Sequence, residues 1–596
     1  MCGIAGEVRC DQSPVDVDAL LAMSEAMHER GPDGAGLWQA PEGDVALAHR
    51  RLAIIDLSER GAQPMTSADG GVVVVFNGEI YNHSELRREY ESRGAHYHSG
   101  SDTETLLHGY ALDGPAFVRR LRGMFAFALW DRRQRRLVMA RDPFGIKPLY
   151  YVQDGSRLRF ASQVKALLAG GYSRDVDPAG LVSFYLWGYV IEPHTFYRGI
   201  RALPAGCVLL FQAESGPRVE RYCDPLDALR GSDVSDTEVG SLHEALLDSV
   251  RYHLLADVPV GMFLSAGIDS GTLAALVTEC APAQEVQAVT LGFAEYAGTE
   301  RDEVPLARKT AATYGMQHEV VEYGRADFEQ DRAHLLAAMD QPTVDGVNTY
   351  FVANAMAARG FKAALSAVGG DEMFGGYPSF RQVPRLARWI PPVPRILGRA
   401  TRHLLAPIVN RFSSSKYAGV LEYGGSVSGA YLLRRALFMP WEIPSLIGEE
   451  ITAEGLEALD VFGSLDALIQ GIESPYDQVM ALEYAVYMRN CLLRDADWAG
   501  MAHGLEIRTP LVDHVLFATL LAIRRARRGF PFSKQEFAST PRHPLTAEHR
   551  NRSKTGFNVP VREWMMGDKF TGSHTRGLRP WAHALAKLLQ RGDHNG

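Results

Sequence analysis

The sequence predicts two unlike units in one chain: an α+β unit of layered sheets over residues 1–212, then an α/β unit with a parallel sheet over 241–596 that ends in a helical part. Three observations predict this. The first two hundred residues carry short apolar runs broken by Gly, Asp and Asn. Residues 213–240 turn to Gly, Ser, Asp and Pro with few large apolar side chains, as a linker does. From 241 onward strand-like runs alternate with helical stretches. A chain of 596 residues also exceeds what one hydrophobic core supports.

In the first unit, runs 72–76 (VVVVF), 124–129 (MFAFAL) and 157–160 (RLRF) read as buried strands. In the second, strand-like runs at 258–264, 285–293 and 362–365 alternate with helical stretches at 273–277, 304–314 and 349–358. That alternation implies a parallel sheet whose ligand sites lie beyond the carboxyl ends of its strands. After about 385 the sequence becomes mainly helical, with Arg-rich amphipathic segments, and residues 385–470 carry no residue-level functional signal. Arg524, Arg525, Arg527 and Arg528 read as a solvated helix face.

Composition narrows the function. Hydrophobic residues make up 46% and charged residues 22%, as in an ordinary globular protein, and the net charge is −9. No basic stripe with interleaved aromatics supports a nucleic-acid partner. No run approaches the ~18 uninterrupted apolar residues of a membrane helix, so no membrane partner is expected. Six cysteines without paired spacing argue against a disulfide framework or a C-x-x-C zinc site. With no charged-then-apolar leader, they point to a reducing, cytoplasmic setting.

Cys2 is the first candidate for chemistry. Removal of Met1 would place a thiol and a free α-amine, of unperturbed pKa about 7.7–8.0, on one residue, giving a nucleophile with its own base. Alone, a cysteine at position 2 is more often incidental. A thiolate attacking an amide also needs oxyanion donors and groups for the substrate's charged ends. Asn77 and Gly78, after the run 72–76, suit an oxyanion hole, although Asn-Gly by itself is a hairpin-turn signal. Arg50 could hold a carboxylate bidentately, and Glu79 and Asp102 could receive an α-ammonium. Arg30 with Asp33 reads equally as a loop-ordering ion pair or a substrate contact. Together these residues describe a site for a free α-amino acid.

The second candidate is 263–271 (FLSAGIDSG), after a strand and before a helix. Small side chains there let backbone N–H groups and a helix N-terminus approach an anion, and Asp269 could reach a magnesium ion on phosphates. The loop lacks the Gly-Lys-Ser/Thr ending of kinase-type phosphate loops. A ligand-free turn remains the alternative.

Segments 1–6 (MCGIAG), 30–34 (RGPDG), 49–52 (HRRL), 76–82 (FNGEIYN), 101–104 (SDTE) and 141–148 (RDPFGIKP) resemble, in order, the class II glutamine amidotransferase domain. The resemblance implies an N-terminal-nucleophile layered sandwich. In it Cys2 attacks the glutamine side-chain amide, Asn77 and Gly78 hold the oxyanion, and Arg50, Glu79 and Asp102 bind glutamine. Gln163 stands where that family usually has Glu.

The loop 263–271 resembles the pyrophosphate loop of the ATP pyrophosphatase family. Segments 365–377 (LSAVGGDEMFGGY), 494–497 (RDAD), 501–510 (MAHGLEIRTP) and 552–557 (RSKTGF) follow in the order of the asparagine synthases. By that resemblance Leu264, Ser265, Gly267, Asp269, Ser270, Leu291, Ser366, Ala367, Lys534 and Lys554 bind ATP or pyrophosphate, and Asp269 and Asp371 bind Mg2+. The implied activity is transfer of glutamine nitrogen to an ATP-activated carboxylate, aspartate first among acceptors, through channelled ammonia. Ala367 and Val368 depart from the pattern, which usually has Gly and an acidic residue there; an apolar group cannot orient or deprotonate an amine. The alternatives are a sugar acid or natural-product carboxylate as acceptor, or a glutaminase or regulatory protein with a silent synthetase domain. A homodimer is left open.

Overall fold

The computed structural model describes residues 2–212, 216–231, 240–283, 285–412, 415–552, 560, 564 and 578–591. Two six-stranded antiparallel sheets build the first unit. One runs Arg201–Ala202, Tyr150–Asp154, Arg157–Ala161, Gly3–Arg9, Val45–Arg51, Gly34–Gln39; the other runs Gly216–Arg221, Cys207–Gln212, Arg136–Arg141, Gly123–Asp131, Val72–Ile80, Met65–Thr66. Ile4, Val8, Val45, Leu47 and Phe160 of the first face Val73, Val75, Ala126, Ala128 and Leu209 of the second in one core. Val74, Phe76, Phe125 and Phe127, on the opposite face, are covered by helices His83–Ser92 and Thr103–Asp113 through Leu86, Tyr90 and Leu106. Helix Val17–Glu25 covers the outer face of the first sheet with Leu20 and Met23. The strand reads as an unbroken valine run because both of its faces are buried.

That strand runs four residues past the expected 72–76. Asn77 and Gly78 lie within Val72–Ile80 rather than after it, paired with Ala126 and Phe125. Gly78 has φ +146°, and a Cβ there would sit 2.0 Å from the Met124 carbonyl oxygen, so glycine is required for this pairing.

The stretch expected to link the units contains strand Gly216–Arg221, paired along its length with Cys207–Gln212, and a 3-10 turn, Pro225–Arg230, that buries Leu226. The strand lies at a sheet edge with four exposed residues, so its polar composition is indistinguishable from a loop in sequence.

The second unit is built on a five-stranded parallel sheet in the order His318–Tyr323, Ala288–Phe293, Val260–Phe263, Ala363–Leu365, Glu506–Arg508. The chain extends the sheet first to one side of Val260–Phe263 and then to the other. The loops leaving Phe263 and Leu365 therefore diverge and open a crevice at the carboxyl ends. Helices dominate after 379. One of them, Pro475–Leu482, continues through π-type winding over Glu483–Leu493 into Arg494–Met501. Arg524 does not belong to a solvated face: it is buried and its guanidinium grips Asp477, because helix His514–Ala526 packs inward there. The principal apolar core is continuous across both units.

Candidate active sites

Cys2, Asn77, Gly78, Glu79 and Asp102 converge where strand Gly3–Arg9 of one sheet, the end of strand Val72–Ile80 of the other and the start of helix Thr103–Asp113 meet. The Cys2 nitrogen donates to Asn77 Oδ1 at 3.0 Å, which leaves the Asn77 Nδ2 donor buried without a partner. The Cys2 thiol, 8% exposed, faces the Leu52 carbonyl at 3.9 Å, and burial pushes its pKa up. Met1 lies outside the described residues. Glu79 is buried, and burial, reinforced by nearby Glu506, holds its carboxyl well above the usual range; its Oε2 has no hydrogen-bond partner. Asp102 accepts the Ile80 N–H at 2.8 Å, and burial raises its pKa. Arg50 sits opposite Gly3, with its Nε on Ser24 Oγ at 3.0 Å and its Nη2 on Glu25. Its fork is thus held by helix Val17–Glu25, and an incoming carboxylate would compete with the largely exposed Glu25 side chain. Gln163 is buried with its Oε1 unpartnered.

Arg30 and Asp33 do not pair with each other. Arg30 clamps Asp497 bidentately at 2.7 and 3.1 Å and donates to the Cys2 carbonyl at 3.1 Å, while Asp33 meets Lys362 at 2.7 Å. Both ion pairs cross between units, so neither the loop-ordering pair nor the substrate contact describes them.

Sequence reasoning missed Arg508, which has no exposed surface. Its Nε bonds Glu506 at 2.6 Å, its Nη1 bonds the carbonyls of His253 (2.9 Å) and Leu255 (2.6 Å), and its Nη2 lies 3.4 Å from Glu79. Burial works against charge on Glu506, but the Arg508 guanidinium overcomes it and holds the carboxyl low. The Arg508 carbonyl accepts the Ser366 N–H at 2.8 Å. One residue thus touches the Cys2 cluster and the start of the second site's loop. Its segment, 501–510, was read as part of the family pattern with no role given to Arg508.

The second site is a cavity of ≈ 470 Å³ at the crevice of the parallel sheet, lined by Leu264, Ser265, Gly267, Asp269, Ser270, Leu291, Ser366, Ala367, Asp371 and Lys534 among others. The loop is tied by its own hydroxyls: Ser265 Oγ and Ser270 Oγ lie 2.8 Å apart, and Ser265 Oγ accepts the Gly267 N–H at 3.1 Å. Lys534 reaches in from 265 residues away in sequence to Asp269, and meets Asp371 at 2.8 Å. Burial would lower its pKa, but Asp269 and Asp371 raise it. Lys554 lies outside the described residues.

Val368 lines the same cavity, and so do carboxylates that sequence reasoning did not single out. Burial pushes Glu372 and Asp495 up to about 7. Glu372 accepts from the Tyr377 hydroxyl at 2.9 Å, and Asp495 from the Thr343 hydroxyl at 2.9 Å and the Trp498 indole at 2.9 Å. Asp345, also raised by burial, stands beside them with Cys491 between. Tyr487, Asp495 and Ala496 enter the cavity from the π-wound helix and its continuation, an irregularity found often at functional sites.

Residues 1–223 match the model of the glutamine amidotransferase domain, and residues 241–592 match that of asparagine synthase. A putative glutamine-hydrolysing asparagine synthetase of Mycobacterium tuberculosis is 32% identical, over 99% of this chain and 91% of its own length. Asparagine synthetase [glutamine-hydrolyzing] 1 of Bacillus subtilis is 29% identical over 95% of this chain and 88% of its own. A protein named amidase chry2 from Gibberella zeae is 28% identical over 95% of this chain and 90% of its own.

Proposed function

The chain belongs to the asparagine synthase family, of glutamine-dependent carbon–nitrogen ligases that use ATP, and from that premise we propose that it converts aspartate, glutamine and ATP to asparagine, glutamate, AMP and pyrophosphate. The observation that carries the glutamine half is the pair of buried, unpartnered atoms around Cys2: a donor, Asn77 Nδ2, and an acceptor, Glu79 Oε2. Buried polar atoms are rarely left unmade without a reason. A glutamine there satisfies both, its α-ammonium on Glu79 and Asp102 and its developing oxyanion on Asn77 and Gly78, with Arg50 taking its carboxylate.

The Cys2 thiolate attacks the side-chain amide carbon, ammonia leaves, and water cleaves the thioester to glutamate. Burial of the thiol disfavours the thiolate, so the reaction needs a local base, which the processed α-amine provides. In the second site the acceptor carboxylate attacks the α-phosphorus and expels pyrophosphate; ammonia then displaces AMP from the acyl carbon and loses a proton. Lys534 and the N–H groups of the loop 265–270 hold the phosphates. Asp269 and Asp371, converging on one ammonium, are the oxygen donors that would hold a magnesium ion there. Such an ion would neutralise phosphate charge when bound. Glu372, a cavity-lining carboxyl that burial raises to about 7, takes in this reading the proton that an apolar Val368 cannot. Strand Glu506–Arg508, touching both sites, supports an internal passage for ammonia.

A second reading, another carboxylate as acceptor, is favoured by the apolar Ala367 and Val368 in the cavity wall. Incubation with glutamine, Mg-ATP and single carboxylates decides between them. Aspartate should stimulate AMP formation and yield asparagine; stimulation by a different acid, with none by aspartate, rejects the first reading.

A further inference from the structure

Residues 379–412 contain seven arginines and no aspartate or glutamate, in a chain whose net charge is −9. They fold into helix Ser379–Trp389, a Pro-rich bend and helix Arg395–Phe412. Among its described side chains, the second helix is fastened along one side. Buried Gly398 abuts the Glu422 backbone, and Arg402, one turn on, is buried with its Nε on Glu422 at 2.8 Å and its guanidinium 4.2 Å from the centre of the Trp441 ring. On the other side the described residues are exposed. Ile396, Ala400 and Leu404 form an i, i+4, i+8 row there, Ile396 being 86% and Leu404 76% exposed. Leu397 lies next to it, and Trp389 is 77% exposed at the end of the preceding helix. Exposed Arg381, Arg385, Arg388, Arg399 and His403 frame these apolar groups.

Scattered exposed leucines need no explanation, but four large apolar side chains gathered in one cationic segment do. We infer that this face seats on an anionic lipid surface, the apolar row entering the boundary of the acyl chains and the arginines meeting lipid phosphates and carboxylates. Charge selects this occupant. A second copy would bring one arginine-rich face against another, and a nucleic-acid backbone offers nothing to bury Ile396, Leu397 and Leu404. Arginines beside Trp, Leu and Ile are the signature of a helix lying in an interface plane. No helix among the described residues is long and apolar enough to cross a membrane, so the segment lies on the surface. The expectation that the chain has no membrane partner rested on spanning segments and does not address this mode.

The test is co-sedimentation of the full-length protein with vesicles of phosphatidylcholine containing phosphatidylserine, against phosphatidylcholine alone. The anionic vesicles should retain the protein, and added salt should release it. Each basic residue near such a surface contributes about fivefold to binding, so Arg385→Glu with Arg388→Glu and Arg399→Glu should weaken it by more than about a hundredfold. Ile396→Ser with Leu404→Ser should weaken it as well. Both variants alter only exposed side chains and should keep the wild-type glutaminase rate, which verifies folding. The inference is overturned by equal binding to neutral vesicles, by charge-reversed protein that still binds, by tighter retention on single-stranded DNA than on vesicles, or by a wild-type dimer that Ile396→Ser with Leu404→Ser dissociates.

Discussion

The two candidate sites are assembled in different ways. Around Cys2, the groups that would meet substrate sit on or beside paired strands within the first 102 residues, locked by ladder hydrogen bonds and left with buried atoms awaiting a partner. The cavity of the second unit gathers segments from 263 to 552, and three of its charged groups already pair, Lys534 lying between Asp269 and Asp371. The first site leaves a buried donor and a buried acceptor open. The second holds Lys534, Asp269 and Asp371 in mutual pairs, which a bound polyanion would have to rearrange.

If the sites are chemically separate, paired substitutions should divide them. Cys2→Ala should lower glutamine hydrolysis by at least about a thousandfold, as loss of a nucleophile does, while ammonia-dependent synthesis persists. Asp371→Asn should do the reverse, suppressing acceptor-dependent pyrophosphate release and sparing glutamine hydrolysis. Steady-state assays of both activities on both variants check this; a Cys2→Ala protein that also loses ammonia-dependent synthesis breaks the comparison.

Arg508 is where the separation should fail. Arg508→Met takes the guanidinium from buried Glu506, which costs about 3–5 kcal/mol, and both activities should fall with stability in denaturant titrations. Adding Glu506→Gln should recover much of the loss. Full stability in the single variant would mean that the Glu79–Arg508–Glu506 cluster does not fasten the units together.

The smallest effect expected is on pH dependence, and it belongs to the second site. Glu372 and Asp495 are raised by burial to about 7, so the folded chain binds protons that the unfolded chain has released. Their contribution to stability is full below the ordinary carboxylate pKa and is lost as pH rises through about 7. Thermal midpoints should fall by a few degrees across that window, and Glu372→Gln should flatten the decline. An unchanged slope in that variant would remove Glu372 as its source.

Much of this molecule was legible in order along the chain. The valine run and the small-residue loop before a helix each depend on neighbours within a strand or turn, where local sterics and alternation decide the outcome, whereas Cys2 and Asn77 were read from separate motifs and meet across 75 residues of chain. The exposed edge strand Gly216–Arg221 was not legible, because a strand with one solvated side needs no apolar pattern. Gly78 was read as following the strand, whereas it lies within it, where a close carbonyl across the sheet dictates the glycine.

The sequence by itself determined that there are two units, that the first opens with a cysteine at position 2, and that the second carries a small-residue loop between a strand and a helix. Tertiary structure alone decided which charges meet. Arg30 clamps Asp497 across 467 residues and Arg508 reaches Glu79 from the far edge of the parallel sheet. Asp495 and Glu372 acquire their raised pKa values only when buried around one cavity. Such pairings have no local signature, since an ion pair or a desolvation penalty depends on distance and burial in space, and neither is encoded by spacing along the chain.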